Sequence, residues 1–472
     1  MMKKRVSFKL PHTLVLIYFL VIAVYILSLV VPSGQYKRAE KTVQGQTRMI
    51  TIPGTYATTA KKLLGPEWIL IAPIRGFQDG ALIIFLILVF GGVFGILGKT
   101  GAIDAGIQRM ALFFSRKPTS QKFVIPVLMI VFSLAGGIYG MAEESIPFVL
   151  VFIPFALSLG YDSIVGVALV FLASAVGFSA AFFNPFTVGI AQGLSDLPLY
   201  SGLGYRLILW VIGTIIAIVF VMLYAQKIKK NPEKSPVYEI DRARGYAQSA
   251  DPSKNVPWGA TQKIVLLILF GGVVLLVYGI MAKGWYMEEI AALFLGIGLL
   301  SGIFARIRPS EMALSFVAGA KDVLNVTFII AGGRAILIIL KQAMVLDTVL
   351  HSAAGLISAV PGIITAQMMF LTQGVINFFI HSGTAQAALT MPIMAPLSDL
   401  VGITRQTMVL AFQLCEVINP ILPTSAVTMG VLGVAKIPWE KWARWFVPLM
   451  LVLILFSLIA LIPPILMKWG PL

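Results

Sequence analysis

Two adjacent carboxylates, Glu143 and Glu144, stand in the run Gly140-Met141-Ala142-Glu143-Glu144-Ser145, within otherwise apolar sequence. At membrane depth a carboxylate costs at least ~2.5–3.5 kcal/mol, so a function or a close partner has to offset it. The chemistry on offer is capture of a cation: a guanidinium or ammonium group, a proton, or a sodium ion. The plainer alternative is a tip near the surface with one glutamate paired to a structural arginine. Neighbouring helical residues diverge, so one of the two, not both, faces a given pocket. Glu416 is the second half's candidate carboxylate, three residues before Asn419 and therefore on the same helical face. Arg334, directly after Gly332-Gly333, either pairs with a glutamate or holds a substrate carboxylate.

Uncharged residues offer a second kind of contact. Ser145, Ser382, Gly383 and Thr384 suit backbone-rich binding of a small polar group. Asn184, Thr187, Asn419, Thr424 and Ser425 flank Asn-Pro pairs and either bind solute or cap helix ends. His381 could titrate, although a lone histidine is more often structural. Gln373, Asn377 and Gln413 fit helix–helix hydrogen bonding equally well, and the glycines Gly91, Gly92, Gly332 and Gly333 fit close helix packing.

The elements that position these groups follow from composition. Of 472 residues, 58% are hydrophobic and 12% charged, with a mean hydropathy of +0.92. Soluble domains carry roughly 25% charged residues, so this chain must face lipid. The apolar runs Leu14–Val31, Ala81–Leu97, Val124–Phe132, Leu207–Tyr224, Ile264–Ile280, Ile290–Phe304 and Val447–Leu466 include several that approach the ~20 residues of a crossing helix. The first exceeds the roughly 7–15 residues of a signal-peptide core and lacks a small-x-small cleavage site after it, so it reads as a retained span. One cysteine, Cys415, and three scattered histidines, His12, His351 and His381, offer neither a disulfide nor a metal cluster.

The net charge of +16 does not point to nucleic acid, because the cations sit at membrane edges. Lys3, Lys4, Arg5 and Lys9 precede the first span, and Lys227, Lys229, Lys230, Lys234, Arg242, Arg244, Lys254 and Lys263 lie in or beside the segment between the halves. The positive-inside rule places both groups in the cytoplasm, consistent with a multi-pass protein of the inner (plasma) membrane. The first loop, Pro32–Glu67, conflicts with that rule, since it carries Lys37, Arg38, Lys41, Arg48, Lys61 and Lys62 yet would lie outside.

Matched landmarks recur in order, about 240 residues apart. Phe77–Ala81 answers to Phe316–Ala320, and Gly91-Gly92 to Gly332-Gly333. The Gly140–Ser145 tip answers to His381–Thr384, Pro154–Gly160 to Pro396–Gly402, and Phe183–Thr187 to Ile418–Ser425. In lipid every backbone polar group must be satisfied internally, and proline breaks that ladder. Each half is thus expected to hold a re-entrant hairpin with a polar tip and an interrupted helix, the sequence pattern of a transport site. The expected organisation is a span and first loop over 1–67, a repeat over 68–226, a solvated polar linker over 227–261, connecting spans over 262–314 and a second repeat over 315–472.

The Gly140–Ser145, Asn184–Thr187 and Ile418–Pro420 runs resemble the YfcC-like branch of the anaerobic four-carbon-dicarboxylate carrier family, in the ion-transporter superfamily. The likeness runs from Leu10 to the last span. It implies an all-α polytopic membrane protein of two inverted repeats, with a scaffold against which a transport domain moves as an elevator, and a homodimer. It also implies either a four-carbon dicarboxylate or a basic amino acid of the arginine–ornithine kind as substrate. The carboxylates favour the basic amino acid, since a dianion site should converge cations. A proton- or sodium-coupled dicarboxylate carrier is the alternative. A coupling proton or sodium ion is the one non-substrate ligand expected; no cofactor is. No nucleophile motif, metal cluster or nucleotide loop supports an enzyme, and two broken hairpins oppose a channel's continuous polar path.

Overall fold

The computed structural model describes residues 13–43, 46–116, 118–244, 257–358 and 363–470. Among these, nine helical segments are long and apolar enough to cross a membrane: Thr13–Val30, Ala81–Lys99, Gln121–Tyr139, Leu203–Lys230, Ala260–Ile280, Met287–Phe304, Leu324–Gln342, Arg405–Val434 and Trp439–Leu466. All seven apolar runs named from sequence fall in or overlap these spans. Leu324–Gln342 and Arg405–Val434 escaped that reading because Arg334, Glu416 and Asn419 interrupt their hydropathy.

The chain is not purely helical. Within the first loop, β1 (Gly34–Gln35) pairs antiparallel with β4 (Ala57–Thr58), and β2 (Arg38–Val43) pairs antiparallel with β3 (Gln46–Thr51). The strands are too short to register as a hydrophobic alternation. They form a cap fastened to the Leu346–Ser358 helix, where both Asp347 carboxylate oxygens accept from Arg38, at 2.8 and 3.0 Å. Part of this loop's positive charge is therefore spent on an internal ion pair.

Two kinked helices form the middle of the fold: Trp68–Asp79 leading into Ala81–Lys99, and Pro309–Asp322 leading into Leu324–Gln342. Their contact requires glycine. A Cβ on Gly91 would lie 2.6 Å from the Gly319 carbonyl oxygen, and one on Gly95 would lie 2.2 Å from that of Ser315. Backbones that approach this closely tolerate only small residues. The order of contacts, 91 to 319 and 95 to 315, runs the two helices antiparallel. Gly92 packs on the Phe316 ring, and Gly332 on Ile17. Thr13–Val30 lies along Leu324–Gln342, and Met287–Phe304 lies along Ala81–Lys99 in the matching place.

Each half then carries a hairpin and a broken helix. The first hairpin is Pro118–Tyr139, the tip 140–144, and Ser145–Ser158. The second is Ile363–Phe379, the tip 380–382, and Gly383–Leu400. A 14-residue return leg such as Ser145–Ser158 reaches only ~21 Å, short of the ~30 Å hydrocarbon core. The first broken helix runs Ser163–Ser179, then resumes at Pro185–Gly189 with a π-turn and Ile190–Leu194. The second runs Arg405–Leu414, tightens to a 3₁₀ turn over Cys415–Ile421, and resumes at Ala426–Val434.

The central linker departs from the solvated expectation over its first part. Pro232–Lys234 and Tyr238–Ala243 are helical turns held on the protein body. Ser235 Oγ donates to Asp162 Oδ2 at 2.6 Å, and the Ser163 amide donates to Asp241 Oδ2 at 2.8 Å. Lys441 Nζ donates to the Pro236 carbonyl at 2.6 Å, and Arg244 reaches the Ala435 carbonyl. Val237 is wholly buried beneath. Those contacts bridge both halves of the chain. Residues 245–256 lie outside the described residues.

Candidate functional site

The second broken helix and second hairpin tip build one continuous polar cluster. Glu416 is 2% exposed, and its Oε2 accepts from Asn419 Nδ2 at 3.2 Å. Asn419 Nδ2 also reaches Asn377 Oδ1 at 3.4 Å, while Ser425 Oγ donates to Asn419 Oδ1 at 2.9 Å. Behind them, Asn377 Nδ2 donates to Gln386 Oε1, and Gln386 Nε2 donates to Gln373 Oε1 at 2.8 Å. These amides fix the orientation of Glu416 from the rear. Ser425 caps the resumed helix by accepting the Thr428 amide, so Pro420 ends the first segment and Ser425 starts the second.

The first half enters this cluster through its own break. Asn184 Oδ1 accepts the Phe186 amide at 2.9 Å and caps the Pro185 turn. Thr384 Oγ1 donates to the Phe186 carbonyl at 2.7 Å, tying the second tip to the first break. A Cβ on Gly383 would lie 2.6 Å from Thr187 Cγ2 and 3.2 Å from Glu416 Oε1. Gln413 Nε2 donates to the Phe178 carbonyl at 2.5 Å, and the Phe178 ring borders the same glycine at 3.8 Å. In this cluster the acceptors Thr187 Oγ1, Gln413 Oε1 and Glu416 Oε1 are buried without a partner among the described residues; so are two amide donors farther along it, Asn184 Nδ2 and Gln373 Nε2. The three oxygens all accept hydrogen bonds, and two can do nothing else. Such a set is completed by a donor-rich or cationic group.

His381 sits beside this cluster. Its Nε2 is 2.5 Å from Thr424 Oγ1, and that hydroxyl donates to the Phe378 carbonyl at 3.0 Å. The hydroxyl has one proton, so the imidazole Nε2 carries the proton of the shared bond. Thr424 is thereby a spacer between the histidine and the tip backbone, and its own carbonyl lies against Gly333.

The first tip is arranged otherwise. Glu144 folds over its own turn, Oε2 accepting the Ala142 amide at 2.9 Å, and Ser145 Oγ donates to the Ala142 carbonyl at 2.6 Å. Gly140 has φ +75°, and a Cβ there would meet the Asn184 amide group at 2.6 Å. Glu143 faces the Tyr286 side chain and the charge of Arg334. Arg334 makes its ion pair with Asp79, at 3.2 Å, and its charge also reaches His381. Its observed partner is thus an aspartate at a helix kink, where sequence had suggested a glutamate or a substrate. Among the described residues no hydrogen bond or ion pair joins Glu143 or Glu144 to Ser382, Gly383, Thr384 or Glu416. Ser145 likewise stays with its own tip. Gln386 and Tyr286 were not singled out from sequence. An amide three residues into the second return leg was the available signal for the former.

The sequence pattern "DcuC: C4-dicarboxylate anaerobic carrier" matches residues 10–465, nearly the whole chain. The chain belongs to this carrier family. Within it, the protein of Escherichia coli (strain K12) that bears the name "Putative basic amino acid antiporter YfcC" is 35% identical over 96% of this chain and 96% of its own length. An "Uncharacterized protein" of Haemophilus influenzae (strain ATCC 51907 / DSM 11121 / KW20 / Rd) is 28% identical over 98% of each. Two solved transporters superpose on this family member at a TM-score of 0.40. They are YdaH of Alcanivorax borkumensis, 16% identical over 98% of this chain and 100% of its own, and MtrF of Neisseria gonorrhoeae, 18% identical over 97% and 95%.

Proposed function

We propose that the chain is a secondary active transporter of small amino-acid or carboxylate solutes, working as a basic amino-acid antiporter of the arginine–ornithine kind. The observation that carries this is the Glu416 carboxylate oxygen buried against Gly383, with Thr187 Oγ1 and Gln413 Oε1 as further acceptors that lack a partner among the described residues. A guanidinium or ammonium group supplies the missing donors and the missing charge. The Escherichia coli relative's name agrees with this substrate class. Ser382, Thr384, Asn184, Asn419, Thr424 and Ser425 then shape the pocket, and Arg334, on the scaffold side, takes the substrate carboxylate as it leaves Asp79.

The test is uptake of labelled arginine into proteoliposomes, with and without ornithine inside. Uptake that needs internal ornithine and collapses in Glu416→Gln supports the reading. Uptake of succinate with none of arginine overturns it. A second reading, a proton- or sodium-coupled four-carbon dicarboxylate carrier, is favoured by the family description and by the Arg334 charge near both tips. Glu416 then holds the coupling ion.

The motion we infer is an elevator within two inverted repeats. Its support is that corresponding kinked helices run antiparallel and that each hairpin, packed on its own half's broken helix, touches the other half's resumed helix with its return leg. The basic linker start, Lys227, Lys229 and Lys230, argues for a cytoplasmic linker in an inner-membrane protein. A homodimer through the scaffold is the assembly implied by the family resemblance.

A further inference from the structure

Away from both tips, the Leu203–Lys230 helix begins with a buried cation that makes no side-chain hydrogen bond to the described residues. Arg206, in its first turns, is 1% exposed, and Nε, Nη1 and Nη2 are all without a hydrogen-bond partner among the described residues. A guanidinium has five donors and no acceptor, and it stays charged. Burying it unpaired costs several kcal/mol, so a structure that holds it so is incomplete at that point.

The surroundings say what is missing. The helix starts at Gly202 in the left-handed conformation, φ +73°, with no side chain capping its first amides. Side chains lean toward the helix N-terminus, which brings Arg206 back toward those amides. Trp469 covers both: a Cβ on Gly202 would lie 2.3 Å from its ring, and the Arg206 guanidinium lies 5.9 Å from its centroid. The other polar side chains here, Gln192, Gln406 and Ser201, are neutral and hydrogen-bond one another. The nearby carboxylates Asp196 and Asp399 are engaged by Arg405 at 2.9 and 2.8 Å. A free helix N-terminus and an unpaired arginine fork are both built for an anion with several oxygens.

We propose that the start of the Leu203–Lys230 helix, Arg206 and the covering Trp469 form a binding site for a phosphate oxyanion, supplied by an anionic lipid head group or by free phosphate. The first helical amides hold one oxygen and the guanidinium fork holds two. Trp469 covers the site from a turn between Lys468, with positive φ, and Gly470, its amide bonded to the Pro464 carbonyl and its carbonyl accepting from Thr404 Oγ1. Leu203, Leu207 and Ile208 are exposed on the same turns, so an acyl chain leaving the site meets an apolar helix face. The site is about 36 Å along the helix from the Lys227–Lys230 end, hence at the opposite membrane interface.

The experiment uses the full chain, purified and stripped of lipid. One arm adds sodium phosphate against sodium chloride at matched ionic strength. The other adds micelles of phosphatidylglycerol against a diacylglycerol with the same chains. Melting temperature is read in the parent, in Arg206→Gln and in Arg206→Lys. The expected result is a rise of a few degrees in the parent in one arm, lost in Arg206→Gln and reduced in Arg206→Lys, which keeps charge but not the fork. A rise in the lipid arm alone identifies a head group, and a rise in both identifies a site open to free phosphate. No rise over control in either arm, or an equal rise in Arg206→Gln, overturns the proposal. Should Arg206→Gln not fold, the Arg206→Lys comparison and a Trp469→Ala variant, expected to lose at least half of the rise given by phosphate or phosphatidylglycerol, decide it.

Discussion

The two hairpin tips occupy matching places in the two halves, yet they present opposite chemistry. The first is acidic, with Glu143 facing Tyr286 and Arg334 and Glu144 folded onto its own backbone. The second is uncharged, made of Ser382, Gly383 and Thr384, but it closes over a buried carboxylate contributed by the neighbouring broken helix, Glu416. A repeat preserves where backbones break, because proline and glycine dictate that. It does not preserve which side chains fill the break. One break is thus filled by a carboxylate buried beneath an uncharged tip, and the other by carboxylates on the tip itself.

The largest expected effect tests this division directly. Glu416→Gln should cut exchange about 10- to 100-fold, since a charged hydrogen bond contributes about 1.5–3 kcal/mol. Glu144→Gln should cost less, about fivefold, because the amide oxygen still accepts the Ala142 N–H and only the difference between a charged and a neutral bond, about 1 kcal/mol, is lost. Initial rates of labelled arginine exchange measure both. If Glu144→Gln silences transport while Glu416→Gln does not, the roles of the tips are reversed.

Next in size is a pair of glycine substitutions with different readouts. In Gly383→Ala the new methyl meets Thr187 at 2.6 Å and crowds Glu416 Oε1 at 3.2 Å. Both are side-chain neighbours in the proposed pocket, so exchange should fall tenfold or more with the melting temperature little changed. In Gly140→Ala the left-handed backbone at φ +75° is itself strained and the methyl strikes Asn184. That should cost about 1–3 kcal/mol of stability. Thermal unfolding in detergent, beside transport assays, separates the two outcomes. Equal losses of stability in both would mean that the second tip is as structural as the first.

The breaks were legible because their signals are local. Asn184-Pro185, Pro420 and the small polar tips state that a helix cannot continue, whatever surrounds them. The spans Leu324–Gln342 and Arg405–Val434 were hidden for the same reason, their polar residues lowering the hydropathy that betrays a crossing helix. The directions of Glu143 and Glu144 were not legible, since adjacent residues at a tip carry no helical period to orient them. Nor was the meeting of Gly383 with Thr187, which depends on how two halves fold together. The cap of β1–β4 was missed because strands of two and six residues leave no pattern longer than chance.

A smaller effect concerns Arg334, a cation whose charge reaches Glu143 and His381. Its pair with Asp79 is partly open to its surroundings, the side chains being 34% and 49% exposed, so it should contribute only about 0.2–1 kcal/mol. Asp79→Asn should therefore leave the melting temperature nearly unchanged. It should release Arg334 toward Glu143 and alter the exchange rate by a few-fold. An unchanged rate in Asp79→Asn, together with full activity in Arg334→Gln, would remove Arg334 from the cycle and leave the two tips to work independently.

The smallest effect asks whether the two halves are also joined at the linker. Asp162, just past the first hairpin, is pushed up to about 6, by burial first and by Asp241 to a lesser degree, against hydrogen bonds from Ser235, Tyr224 and the Val165 amide. Arg244 and Lys441 are the cations that face Asp241 from the linker and from the second half. A carboxyl whose folded pKa is raised binds its proton more tightly when docked. Its contribution is therefore complete below the unfolded value near 3.8 and is lost as pH rises through about 6. Docking of the 231–244 segment should be tighter at pH 5 than at pH 7, read as slower proteolysis of that segment in the otherwise folded protein. Asp162→Asn should flatten the dependence while keeping an acceptor for Ser235. If the segment is cut equally fast at both pH values in the parent, the linker is held by Lys441, Arg244 and the buried Val237 alone, and the two halves are clasped by contacts that do not titrate.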